Sequence, residues 1–149
     1  MPAKLGLDCK LYYKTGGQAS ANAWTLLGNA KDVTLSVEAG DADVTTRGNN
    51  GWKASLATLK SGSIEFEMVY DTADAGFTAI RTAYFTNAVI GLRVLDGLIP
   101  ASGTNGTQGL SCDAMITNME FSQPLEEAVT VKVTAKPGYS TTAPAWVTL

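Results

Sequence analysis

Three segments of this chain alternate apolar and polar residues one for one. In "KDVTLSVEA", Val33, Leu35 and Val37 oppose Thr34, Ser36 and Glu38. In "SIEFEMVYD", Ile64, Phe66, Met68 and Tyr70 oppose Glu65, Glu67 and Asp71, and in "AVTVKVTAK", Val129, Val131 and Val133 oppose Thr130, Lys132 and Thr134. A period of two is the pleat of a β-strand with one face buried and the other wet. Strands of this kind must share an apolar layer, which makes the chain mainly β. Less regular strands fit "LGLDCKLYYK", "WKASLATL", "AVIGLRVLD" and "GLSCDAMITNMEFS"; the last loses phase near Asn118 and Met119, where a bulge restores it. No internal repeat is visible.

One segment breaks the pattern. In "DTADAGFTAIRTAYFTNA", Phe77, Ile80, Tyr84 and Phe85 fall at helical spacing, with Asp71, Thr72 or Asp74 available as a cap. The spacing predicts a helix over about residues 73–86 that packs an aromatic stripe on the sheet. Gly, Pro, Ser and Thr make residues 96–109 an exposed loop, and Gly16 with Gly17 a turn. Another Pro, Ser and Thr-rich stretch, residues 137–149, reads as an extension that runs over the surface or docks on a neighbouring subunit through Trp146. With 149 residues, the chain fits a single domain over 1–149 that buries roughly 70% of its unfolded surface.

Composition removes most chemistry. The chain has no histidine, so it holds no Ser-His-Asp or Cys-His arrangement and no imidazole base. The carboxylates are scattered along strands, and no acid/base pair stands out. Asp41 and Asp43 have the spacing that opens a calcium loop, but Thr45 and Thr46 occupy the next ligand and turn-glycine positions, and Trp52 stands where the bidentate glutamate belongs. Neither a "GxxxxGK" nor a "GxGxxG" occurs. No enzyme activity and no cofactor or metal is expected. Cys9 is in phase with Leu5 and Leu7, and Cys112 with Leu110, Ala114 and Ile116, so both read as small buried hydrophobes on strands. The N-terminal segment lacks the apolar core of a secretory signal, so synthesis and residence in a cytoplasm are expected, with no membrane insertion. "NGT" at Asn105 is then a coincidental sequon.

The stretch "DADVTTRGNNGWKA" is the unusual one. The polar connection from about residue 38 to 52 exceeds an ordinary hairpin loop of two to five residues. It is either a floppy surface loop or a segment prepared to order itself against another surface. Thr45 and Thr46 favour extended structure, Arg47 is a basic residue in an otherwise acidic and polar run, and Trp52 is a costly aromatic to leave in water.

From "AKDVTLSVEAGDADVTTRGNNGWKASLATLKSGSIEFEMVYD" through "FTAIRTAYF" and "IGLRVLDG" to "NMEFSQPLEEAVTVKVTAKP", the chain resembles the tail tube proteins of tailed bacteriophages, also called major tail proteins. The resemblance spans about residues 31–137 and rests on the "DVTTRGNNGW" element and the order of strands and helix. It implies a β-sandwich or barrel of the phage tail tube type with one flanking helix, an architecture shared with type VI secretion tube proteins. It further implies a structural virion protein whose hexameric rings stack into a tube for DNA passage, the barrel edges being paired between subunits.

In such a tube the long loop reaches neighbouring subunits, so Asp41, Asp43, Thr45, Arg47, Asn49, Asn50 and Trp52 are candidate interface residues. Glu65 and Glu67 are candidate lumen residues, although they fit ordinary solvated strand positions equally well. Partners implied are other copies of the chain, tape measure, tail terminator and baseplate or tip proteins, and genomic DNA passing without specific binding. A net charge of −3 fits a channel that does not grip phosphates. The alternative is a carbohydrate-binding or adhesive β-sandwich that uses Trp24, Trp52 and Trp146 as stacking platforms.

Overall fold

The computed structural model describes residues 3–149, and the strands predicted from alternation join into one antiparallel sheet. The elements are β1 (Lys10–Thr15), β2 (Thr25–Leu26), β3 (Ala30–Asp43), β4 (Ser55–Val69), α1 (Ala75–Thr86), β5 (Ile90–Leu95), β6 (Gln108–Ser122), β7 (Thr130–Pro137) and β8 (Ala145–Thr148). Sheet order is β2-β1-β5-β6-β7-β4-β3, with β8 paired to the first residues of β6. The sheet curls into a half-barrel with α1 packed on its concave, apolar side.

The core follows from the alternation. Ile64, Phe66 and Met68 of β4 and Val131, Val133 and Ala135 of β7 all point to the side that receives Phe77, Ile80 and Ala83 of α1. Met68, Val131, Val133 and Ile80 are wholly buried. Asp74 caps the helix by accepting the Phe77 N–H at 2.9 Å, and Asn87 ends it in the left-handed region at φ 55°. The expected bulge in β6 is present as a register shift between Ile116 and Asn118. It returns Met119 to the core side.

Several expectations need correction. Leu5, Leu7 and Cys9 are exposed, because Gly6–Asp8 form a 3-10 turn and the strand starts only at Lys10, which breaks the period of two. Cys112, by contrast, is buried on β6 as expected. The aromatic stripe of α1 stops after Phe77: Ile80 is buried as expected, but Tyr84 is partly exposed and Phe85 is 73% exposed, and Ala83 completes the buried face. "WKASLATL" and "SIEFEMVYD" are parts of one 15-residue strand, β4, carried through Ser61–Gly62–Ser63 by pairing with β3. Residues 145–148 form β8, with the Trp146 indole N–H donating to Gln108 at 3.1 Å.

Two straps cross the outside of β5 and β6 and meet at Asp113. The Gln18 backbone N–H donates to this buried carboxylate at 2.6 Å, and the Ser140 hydroxyl donates to its other oxygen. The Gln18 side chain accepts from Ser111, whose hydroxyl also accepts from Arg93, and the Arg93 guanidinium lies over the Trp24 ring at 4.3 Å. The Gly16–Trp24 turn and the C-terminal segment are thereby pinned to one carboxylate.

Candidate assembly surface

β3 and β4 outgrow the sheet. Strand β7 supports β4 only from Ile64 to Val69, whereas β3 and β4 remain paired as far as Asp43 and Ser55. The nine residues Ser55–Ser63 of β4 therefore belong to a two-stranded arm about 30 Å long at ordinary strand rise. Such a hairpin is marginal in water without further cover. Its own devices are modest. A register shift between Ala39 and Asp41 bends it, and Ser61 donates to Glu38 at 3.3 Å.

The tip is ordered by local chemistry. The Val44 N–H donates to Ala54, and the Thr45 hydroxyl accepts the Ala54 N–H at 2.8 Å. Asp43 accepts the Thr45 N–H at 2.9 Å; hydrogen bonding from the Thr45 side chain and backbone holds its carboxyl below the ordinary range. A 3-10 turn over Arg47–Asn49 follows, and Asn50 and Gly51 reverse the chain at φ 54° and 83°. Asparagine and glycine are the residues that take two successive positive φ values at low cost. The Trp52 N–H then donates to Asn49 at 3.0 Å, leaving the indole 79% exposed.

All seven candidate interface residues thus lie on the distal arm, but in two settings. Asp41 and Asp43 are strand residues opposite Ala57 and Ser55, because β3 continues through the first six residues of the expected 38–52 loop. Thr45, Arg47, Asn49, Asn50 and Trp52 form the tip. Glu65 and Glu67 stand apart, on the sheet face opposite the core. There Glu65 lies between Thr34 and Thr134, and Glu67 beside Lys132, which in turn faces Glu120. Sequence reasoning put Val37 on a buried face and gave Leu56 and Leu59 no role, yet the three are 66%, 60% and 87% exposed on the arm. The signal was present in "WKASLATL", whose leucines do not keep a period of two.

A family model described as phage tail tube protein matches residues 5–137. The chain belongs to the phage tail tube protein family. It is therefore a structural tail component, and the fold expected from that resemblance is the one observed.

Solved tail structures carry the same fold. A chain in the tail of an empty gene transfer agent particle, refined with helical C6 symmetry, superposes with a TM-score of 0.73 at 20% identity over 97% of this chain and 99% of its own. The SPP1 tail tube gives 0.70 at 18% identity over 90% and 75%. A chain of the anti-feeding prophage baseplate gives 0.62 at 11% identity over 99% and 96%. No curated protein matches in sequence.

Proposed function

We propose that this chain is the repeating subunit of a tail tube built from stacked hexameric rings, and that genomic DNA passes through its lumen into the host. The observation that carries this is the arm. A monomer gains nothing from a two-stranded ribbon that holds Val37, Val44, Trp52, Leu56 and Leu59 in water, and such surface is characteristic of an interface awaiting its partner. The C6 symmetry of the gene transfer agent tail supports the ring number. Asp41, Asp43 and Arg47 make charged contacts across subunits, and Trp146 on β8, 64% exposed, is a second contact surface.

The face bearing Glu65, Glu67 and Glu120, with Lys132 among them, lines the lumen. Three carboxylates to one ammonium on adjacent strands repel phosphates, so DNA slides without a specific grip. Assembly takes place in the bacterial host cytoplasm, with tape measure, terminator and baseplate or tip proteins as partners, and the product resides in the virion tail. Trp24 is unsuited to sugar stacking, since Arg93 and Lys14 already lie over its ring at 4.3 and 5.5 Å.

Arm function is tested with Arg47→Ala and with a chain in which residues 44–54 are replaced by a two-residue turn. Both should fold as monomers with wild-type circular dichroism, and the shortened chain should fail to sediment as polymer. Normal polymerisation of the shortened chain would remove the arm from the assembly.

A further inference from the structure

The end of the molecule opposite the arm carries an exposed aromatic patch. Strand β4 runs 15 residues from Ser55 at the arm to Val69, about 45 Å at ordinary rise, and the β6–β7 connection lies beside Val69 because Tyr70 donates its N–H to Val129. There Tyr70 and Phe121, 42% and 46% exposed, sit 6.1 Å apart, and both meet the buried Phe77 ring edge-on. Leu125 stands fully exposed on the connection. The patch is thus an apolar surface held rigid by the core behind it.

We propose, resting on the tube assembly above, that this patch receives the arm tip of the next copy, with Trp52 seated against Tyr70, Phe121 and Leu125. Charge supports this occupant. The tip, residues 44–54, carries Arg47 and Lys53 and no carboxylate. The two connections framing the patch, residues 70–74 and 123–129, carry Asp71, Asp74, Glu126 and Glu127 and no cation; Asp71 and Asp74 also accept the Ala73 and Phe77 N–H groups, and Arg81 of α1 lies 5.9 Å from the Phe77 ring centroid. Asp43 stands outside the tip, on β3 opposite Ser55. An apolar centre with a charged rim of opposite sign on each partner is the anatomy of a specific interface. Because the two surfaces lie at opposite ends of one chain, their contact is head-to-tail and propagates as an open stack.

The test compares the critical concentration for rod formation of the wild-type chain with R47E/K53E, with E126K/E127K, and with all four substitutions together. All sites are exposed, so the monomers should retain wild-type circular dichroism. Each double reversal should raise the critical concentration at least about tenfold, and the fourfold variant should return to within about threefold of wild type. Wild-type rods with unaffected double reversals, or without rescue in the fourfold variant, would overturn the docking while leaving the tube intact. Failure of the wild type to form rods would overturn both. In a C9S background, W52C with L125C should give a disulfide ladder from oxidised rods. A ladder from W52C with L26C in its place, Leu26 being exposed on β2, would put the tip against β2 and overturn the assignment.

Discussion

Replacing Leu56 and Leu59 together by serine separates the arm from the fold. Both side chains face water in the monomer, 60% and 87% exposed, so each change should move monomer stability by no more than about 0.5 kcal/mol. Full burial of a leucine is worth about 1.5–3 kcal/mol. Scaled by the area still exposed, covering both in the tube contributes about 2–4 kcal/mol per subunit, or about 30-fold to 1,000-fold in critical concentration. Thermal unfolding followed by circular dichroism reads the first quantity, and sedimentation across a concentration series reads the second. Met68→Ala is the control with the opposite expectation: Met68 is wholly buried, so it should lose about 2–5 kcal/mol of monomer stability. Polymerisation of L56S/L59S at the wild-type concentration would refute the reasoning, as would a monomer destabilised as much as Met68→Ala.

The buried Cys112 thiol is pushed up to about 11 by desolvation and by neighbouring Asp113, so at pH 8 it should stay protonated and inert; a thiol reagent should titrate Cys9 alone in the native chain and both cysteines in denaturant. Gly109→Ala should yield insoluble protein or lose about 3 kcal/mol or more, because the added Cβ falls into the Val94 carbonyl across the β5–β6 ladder, as a denaturant titration would show. Asp74→Ala removes the cap of α1 and should lower the melting temperature by about 2–4 °C, corresponding to about 1 kcal/mol. Asp113→Asn should speed hydrogen exchange in both the Gly16–Trp24 turn and residues 138–142, since one carboxylate holds both; faster exchange in only one would dissolve that link.

What the sequence revealed depended on how local the cause was. The inward faces of β4 and β7 were legible because Ile64, Phe66, Met68, Val131 and Val133 are buried by their own chain. The same alternation on β3 predicted a half-buried strand, yet Val33 and Val37 are exposed, because β3 is the edge strand of the sheet and Val37 pairs with the part of β4 that β7 no longer flanks. An apolar period reports that burial is intended without naming the molecule that supplies it. The asparagine and glycine at the tip announced a turn, but the pairing of Asp41 and Asp43 depended on β4, a strand read as two. The Asp113 straps were invisible for a further reason: Gln18 and Ser140 reach it across 95 and 27 residues, and no local pattern encodes such a meeting.

The most direct test of the central claim is negative-stain electron microscopy of the purified chain, concentrated and aged, alongside size-exclusion chromatography of the fresh sample. Tube assembly through the arm predicts hollow rods of uniform diameter with six-fold end views. A population that remains monomeric at every concentration, with the arm exposed, would contradict it.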